Sequence, residues 1–556
     1  MTLDGGWIPV LVGGAILVPM LLALVEVARP GLHGRWLAVA PVPALLAGAL
    51  LATGSGIDAP WLLFGARFGL DDTGRLLLLA SAVVWLAAAL HAAGEGMARG
   101  ARAGLLLAMA GNFGAVLAQD AASFFACYAL MSFSAYLLVV ERGDAAARRA
   151  GRVYVALVVL GEVLVLNGLL FAAAGSATAV STIPLAGLLL WVGFGIKAGL
   201  VPLHFSLPLA YGAASTAGAI ALAGAMVNAG LLGWLRFLPG GDPGAADLGL
   251  AMMALGLGGA FYGVLVGLTQ TDARVLLGYS SVSQMGLMAV GLGAGVAAPG
   301  SWPALVGVVV LFAVHHGFAK AALFAALASS EGSRSRLRHL GLLVAAAALI
   351  GLPFTSGALA KAALTGALPA LPGFWAEALA IALPLATLGT TLLMARLAFL
   401  SAGRGPVSSA PATARAGAVL LLVAVVGGFW WLPGVVPVVA GSSAVSGVPW
   451  PALAGGLIAL AAYWLDRARG VALRARVPPG DLVLPVERLA AALWRFVCGA
   501  PDAHHGGGSE APWATRWSGR LAALLTRGET ALARWELAGI ALLALAAAVA
   551  LVVSWG

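Results

Sequence analysis

Apolar runs of about twenty residues recur from one end of this chain to the other, each long enough to cross the hydrocarbon core of a bilayer. That feature removes most folds from consideration. About sixteen such runs can be marked by the same length criterion. Backbone amides at that depth have no water to bond, so the spans must be helices. Composition agrees, with 61% of the 556 residues hydrophobic and 10% charged and a mean hydropathy of +1.00. A soluble protein of this length needs far more charge to cover its surface. The expected fold is an all-α polytopic membrane protein, with the lipid bilayer as its first partner.

A formal charge of +9 raises the question of nucleic acid, and the placement of the basic residues argues against it. They cluster in short loops after odd-numbered spans: Arg29 and Arg35, Arg99 and Arg102, Arg142, Arg148, Arg149 and Arg152, Arg334, Arg336 and Arg338, then Arg404 and Arg415. Loops after even-numbered spans are nearly free of them, with Arg67 and Arg236 the main exceptions. This is the positive-inside asymmetry. It places the odd loops in the cytoplasm of a bacterial cell, the chain in the inner membrane and both termini on the periplasmic side. Trp7–Val27 reads as a full first span with no cleavage site.

The chain divides by pattern into six regions. Residues 1–100 hold three spans, near 7–27, 36–53 and 74–92. Two five-span blocks follow, 101–240 and 241–402, then two further spans in 403–466. Region 467–535 is Arg-rich, and Leu489, Ala492, Leu493 and Phe496 repeat at helical spacing opposite Arg488 and Arg495. That fits an amphipathic helix along the cytoplasmic surface, or else a solvated basic linker. A last span lies in 536–556.

Each block contains an apolar segment interrupted by proline close to an intramembrane lysine. Lys197 precedes Pro202, His204 and Pro208 in the first block, and Pro353 precedes Ser356, Gly357 and Lys361 in the second. An odd number of spans per block inverts one block relative to the other. Interrupted helices in corresponding positions of inverted repeats point to an ion pathway between them.

An ionisable side chain at the centre of a span costs roughly 3 kcal/mol on insertion scales and is by default a functional candidate. Those found are Glu162, Lys197, His204, His315, His316, Lys320, Lys361, Glu377 and Arg396. Burial disfavours the charged form of a lysine and a nearby carboxylate favours it, so a buried lysine with a movable partner can load and release a proton. Lys197 and Lys361 sit beside helix breaks, where relay function competes with snorkelling to the interface. His316 and Lys320 lie four apart on one helix face, either as a relay or as a packing pair, and His315 points elsewhere. Glu377 and Arg396 read either as an ion pair or as a pathway exit. Gly256, Gly258, Gly259 and Gly263 read as close helix packing. Two cysteines, Cys127 and Cys498, cannot hold an iron–sulfur cluster, which takes about four thiolates. His504 and His505 read as a glycine-rich loop. No metal, cofactor or catalytic site of the chain's own is expected.

Several segments carry a family resemblance. Gln119-Asp120 with Leu130-Met131-Ser132-Phe133-Ser134-Ala135-Tyr136-Leu137, Gly193 to Ala198 with Val201-Pro202-Leu203-His204, Gln270-Thr271-Asp272 with Tyr279 to Gly286, and His316 to Lys320 resemble the proton-conducting antiporter family. That family includes the antiporter-like subunits of respiratory complex I, the Mrp cation/proton antiporters and membrane subunits of energy-converting hydrogenases. The wording around Leu130 most resembles the hydrogenase-4 branch. The resemblance implies two half-channels, with Lys197 and Lys361 as their broken-helix lysines and His316 and Lys320 as the central relay. It also implies neighbouring membrane subunits and a peripheral cytoplasmic enzyme module, so that the chain is a proton-translocating subunit of a redox-driven assembly. The alternatives are a two-component inorganic-carbon uptake complex with a zinc-containing partner, an Mrp-type Na+/H+ antiporter, and a structural subunit with a decayed first half-channel.

Two departures fall in the first half. The family's fifth-span glutamate is replaced by Ala129, and its eighth-span lysine by Asn228. The charged form of Lys197 thereby loses a partner, and Asn228 carries no proton at ordinary pH. Glu162, in the next span, is a candidate for a relocated partner.

Overall fold

The computed structural model of the chain describes residues 6–28, 34–63, 65–175, 183–328, 336–368, 371, 373–402, 411–435, 450–469 and 477–489. The chain divides into two units, Met1–Pro479 and Gly480–Gly556. The second contributes a short helix, 483–489, to the described residues. The rest of the amphipathic segment expected over 467–535, His504, His505, Cys498 and the last span lie outside them.

Within the first unit, three helices come first: α1 (Trp7–Ala28), α2 (Val42–Leu50) and α3 (Asp72–Glu95). The second span is shorter than the expected 36–53. A 3₁₀ turn, Gly34–Val39, leads into α2, because Pro41 and Pro43 supply no amides for a continuous helix. Between α2 and α3 a hairpin of β1 (Gly56–Ala59) and β2 (Ala66–Gly69) sets Asp58 opposite Arg67. Their side chains pair at 2.9 Å, so one exception to the loop-charge asymmetry is neutralised locally.

The first repeat runs through α4 (Arg99–Leu117), α5 (Ala121–Ser134), α6 (Tyr136–Val140), α7 (Ala145–Gly175), α8 (Ile183–Ala198), α9 (Ser206–Ala213), α10 (Thr216–Ala221) and α11 (Val227–Phe237). Helices α5 and α6 make one span. α8 and α9 are the halves of the broken one, and a π-helical turn, Leu222–Met226, joins α10 to α11. The second repeat is α12 (Ala246–Leu268), α13 (Ala273–Ala297), α14 (Trp302–Ala328), the broken pair α15 (Arg336–Ile350) and α16 (Ser356–Ala367), and α17 (Trp375–Ser401). Helices α18 (Ala412–Val435) and α19 (Trp450–Arg469) follow. Among the described residues, eleven helices are long and apolar enough to cross a membrane on their own. The apolar stretches of α13 and α14 are buried throughout and form the centre of the bundle. Large side chains such as Leu265, Leu343 and Leu457 point outward, as lipid contact allows.

The two repeats are built with the same local devices. Asp120 caps α5 through the Ser123 amide at 2.8 Å, and Asp272 caps α13 through the Arg274 amide at 2.7 Å. Each aspartate satisfies an otherwise unpaired helix-start donor. Both broken helices end on a glycine in the left-handed region, Gly199 at φ 86° and Gly351 at φ 85°. The next amide reaches back five residues in both: Leu200 N–H to the Gly195 carbonyl at 2.7 Å, and Leu352 N–H to the Ala347 carbonyl at 3.1 Å. This is the hydrogen-bond signature of a Schellman stop.

A third device is an arginine from the last helix of each repeat that caps the first. Arg236 on α11 donates to the carbonyls of Ala115, Val116 and Ala118 and pairs with Asp71 at 3.0 Å. Arg396 on α17 donates to the Gln270 carbonyl at 3.1 Å, just past α12. Of the four glycines assigned to close packing, Gly256 and Gly263 meet the backbone of α13, while Gly259 only brushes Val201 and Gly258 faces open space. Gly258 is therefore not a packing glycine, since it lies on the outer side of α12.

The break at Gly351 yields a direct prediction. A Cβ there would sit 3.1 Å from the Cδ of Lys361, on a backbone that costs an L-residue about 1–2 kcal/mol. Gly351→Ala should lower the thermal midpoint of the detergent-purified protein. Gly366→Ala, with open space around it on α16, should leave the midpoint unchanged or raise it.

Candidate functional site

In the first repeat, Lys197 occupies the last turn of α8, where a cation faces the negative end of the helix dipole. Its ammonium donates to the Tyr154 hydroxyl at 3.3 Å and lies 5.7 Å and 5.4 Å from the ring centroids of Tyr128 and Tyr154. Aromatic faces at that range attract a cation. Tyr154 in turn donates to the Ser132 carbonyl at 3.0 Å. The two tyrosines come from α5 and α7, and Tyr128 directly precedes Ala129. Sequence reasoning missed both rings, because an aromatic in a span reads first as an interfacial anchor.

Glu162, on α7, shares one cavity wall with Lys197, Tyr128, Tyr154 and Ser206. It is buried, and its Oε2 has no hydrogen-bond partner among the described residues. The Glu162 and Lys197 charges attract across the cavity rather than through a contact ion pair. His204 lies in the break between α8 and α9, fully buried, with its ring centroid 5.0 Å from Tyr262 and 5.9 Å from Tyr279.

The centre of the bundle joins the repeats. Asn228 follows the π-helical turn and donates to the Gly224 carbonyl and, across the interface, to the Ala313 carbonyl of α14, both at 3.2 Å. A neutral side chain at this position thus ties α11 to α14. One turn further along α14, His316 is fully buried and neither ring nitrogen has a hydrogen-bond partner among the described residues. Lys320 is equally buried and donates to the Leu277 carbonyl of α13 at 2.9 Å. Ser280, Ser283 and Gln284 of α13 are also buried, and Gln284 donates to Thr390 at 3.1 Å.

In the second repeat, Lys361 on α16 donates to the Ile350 carbonyl at 2.7 Å. Ile350 is the last residue of α15, so the ammonium of one half-helix satisfies the open end of the other. His315 points away from His316, as its position on the helix predicts. Its Nδ1 lies 2.9 Å from the Ser356 hydroxyl at the start of α16, which links α14 to the helix that carries Lys361.

Glu377 and Arg396 are not brought together. They are nineteen residues apart on one helix, α17, which separates them by roughly 28 Å of axial rise. Glu377 is exposed in the first turn. Arg396 caps α12 and lies 5.6 Å from the Phe399 ring, so the ion-pair reading does not hold. Among the described residues, no group of three or more His, Cys, Asp or Glu side chains is arranged to hold a metal ion.

Comparison with known proteins agrees with this architecture. The family model described as NADH:quinone oxidoreductase/Mrp antiporter, TM, matches residues 118–401, just over half of the chain. An uncharacterised protein of Mycobacterium tuberculosis (strain ATCC 25618 / H37Rv) is 33% identical over 273 residues, 43% of this chain and 42% of the relative. Hydrogenase-4 component B of Escherichia coli (strain K12) is 29% identical over 288 residues, 47% of this chain and 42% of that protein. The matched stretch is thus about two fifths of the length of these relatives. The structure of the Mrp complex from Dietzia sp. DQ12-45-1b shares the fold, with a TM-score of 0.71 at 20% identity over 93% of this chain and 62% of that one. The chain is a multi-pass, antiporter-like membrane subunit and belongs to the NADH:quinone oxidoreductase/Mrp antiporter transmembrane family.

Proposed function

We propose that this chain is a proton-translocating subunit of a complex-I-like or energy-converting-hydrogenase-like assembly, and that it relays protons along a buried lysine/histidine axis. One observation carries the reading. Lys197, Lys320 and Lys361 lie within an apolar bundle, and among the described residues each ammonium is held by a single neutral oxygen: Tyr154 Oη, the Leu277 carbonyl or the Ile350 carbonyl. Such a lysine can give up and regain a proton without breaking a contact ion pair, whereas a lysine locked to a carboxylate at this depth would resist release.

The axis runs from Glu162 and Lys197 past His204 to Lys320 and His316, then to His315, Ser356 and Lys361. Regions 101–240 and 241–402 act as its two half-channels. Buried polar atoms without a hydrogen-bond partner among the described residues at Glu162, His315, His316, Ser280, Ser283 and Gln284 support a hydrated path, since such groups are normally satisfied by water. Glu162 replaces the missing fifth-span acid. Asn228 holds the repeats together and orders water but does not carry the proton. The membrane partners are further subunits of the same assembly, in a bacterial inner membrane with both termini periplasmic, and the driving chemistry belongs to a peripheral cytoplasmic module. Hydrogenase-4 component B is named as one component of a larger enzyme, which favours that arrangement over a self-sufficient carrier.

Three measurements bear on this reading. Potential-driven proton flux through proteoliposomes of the purified assembly should fall by about a hundredfold in Lys361→Ala, the scale of a lost acid–base group. Flux equal to wild type would mean the channel is dead. Glu162→Gln should slow the same flux by about tenfold or more, and unchanged flux would remove Glu162 from the relay. Affinity purification in gentle detergent should recover iron–sulfur or hydrogenase-like subunits. A single zinc protein, or small membrane subunits alone, would instead assign the chain to carbon uptake or to secondary antiport.

A further inference from the structure

Four rings fill the first repeat between Lys197 and the face of the bundle where Asp120 starts α5. Phe124 and Tyr128 stand one turn apart on α5, Phe194 precedes Lys197 by about one turn on α8, and Phe237 is the last residue of α11. The rings form a closed set. Phe124 stacks on Tyr128 with centroids 5.6 Å apart, and meets Phe194 and Phe237 edge-on at 5.8 Å and 4.9 Å. Phe194 meets Tyr128 edge-on at 5.4 Å and stacks on Phe237 at 6.1 Å. These are the arrangements that aromatic quadrupoles favour. Phe124 and Phe194 are fully buried, and Tyr128 nearly so.

The set has an outer and an inner end. Phe124 follows the Asp120 cap by one turn. Phe237 closes α11 beside Arg236, whose guanidinium reaches the Ala118 carbonyl at 2.6 Å, so both rings lie toward the Asp120 face. Tyr128 is innermost, with the Lys197 ammonium over its ring at 5.7 Å. Past Lys197 the surroundings change. The cavity shared with Glu162 continues beyond the helix break to Ser206 on α9. Helix α9 runs on to Gly212, whose carbonyl accepts from Arg142 at 3.2 Å. Lys197 thus has a polar cavity toward Arg142 and a wall of rings toward Asp120.

The repeat fold does not by itself require rings at this place. The helix caps Asp120 and Asp272 and the stop glycines Gly199 and Gly351 are the same number of residues apart, which fixes the register of one repeat on the other. In that register Phe124 answers to Leu276, Tyr128 to Ser280 and Phe194 to Ala346. Ser280 is buried, and its hydroxyl has no hydrogen-bond partner among the described residues. One turn on, Gln284 donates to Thr390 at 3.1 Å. The second repeat therefore has groups able to hold water where the first has rings. Close packing keeps the first set tight, since a Cβ at Gly233 of α11 would lie 2.4 Å from the Phe194 ring. Each water in a chain needs polar partners, and the three phenylalanine rings offer none. An apolar constriction of this kind blocks a pathway by excluding water.

We propose that Phe124, Tyr128, Phe194 and Phe237 form a dry plug that shuts Lys197 off from the Asp120 face and leaves the Arg142 face as its route to bulk water. The inference rests on the proton-relay reading and names the element that prevents a short circuit in it. Without the rings, the first repeat alone would join both faces through Lys197. Protons would then cross without visiting Lys320 or Lys361.

The test is passive proton entry into proteoliposomes of the purified assembly at rest, under an imposed pH gradient. Phe194→Ala should raise the leak about tenfold or more over wild type, whereas Phe194→Leu, which keeps apolar bulk, should stay tight. The leak should persist when Lys361→Ala is added, because the opened route does not use the second repeat. Phe124→Ala should repeat the leak, and it decides alone if Phe194→Ala fails to assemble. A leak equal to wild type in the alanine variants, one as large in Phe194→Leu, or one abolished by Lys361→Ala would overturn the plug and leave the rings as packing. The two ideas fail separately. If Lys361→Ala alone leaves potential-driven flux unchanged, the relay fails, while the leak of the ring variants still judges the plug.

Discussion

Every polar group inside this bundle must find its partner in protein or in enclosed water, because lipid offers none. The long side-chain cations are arranged around that constraint. Where a helix stops inside the bundle its last carbonyls are open, and a cation closes them: Lys361 at Ile350, Arg236 at the end of α4 and Arg396 beside the end of α12. One helix end demands a donor, and the buried cation demands an acceptor. Each satisfies the other, and Arg236 adds a formal counter-charge at Asp71.

The same constraint separates structural cations from candidate relay groups. Arg236 bonds three carbonyls and an aspartate and cannot shed its proton in any accessible range. Lys197, Lys320 and Lys361 each have one neutral acceptor among the described residues. In the first repeat, two tyrosine rings and a carboxylate on the next helix surround Lys197, so the cation is stabilised by ring faces and by a charge across a cavity.

Much of the fold was legible in advance because its determinants are local. Span positions follow from apolar length, and the two breaks follow from Pro202 and Pro353 beside glycine. Lys197, Lys361, His316 and Lys320 stood out because charge is so costly at that depth. Other features carried no such mark. The π-helical turn before Asn228 consists of ordinary small apolar residues, and only packing against α14 reveals it. Tyr128 and Tyr154 resemble any interfacial aromatic until the fold turns them onto one ammonium. Arg396 read as an ion-pair or exit residue because its acceptor, a backbone carbonyl 126 residues away, has no side-chain signature.

The sequence by itself determined that this is a bundle of spanning helices, where two of them break, and which ionisable residues lie at membrane depth. Those are consequences of transfer free energy and backbone geometry, which act residue by residue. Tertiary structure alone decided which oxygen each cation meets, that Glu162 and Lys197 share a cavity, and that Glu377 and Arg396 do not meet. Such pairings join residues tens of positions apart, and their energies exist only once packing has set the distances between them.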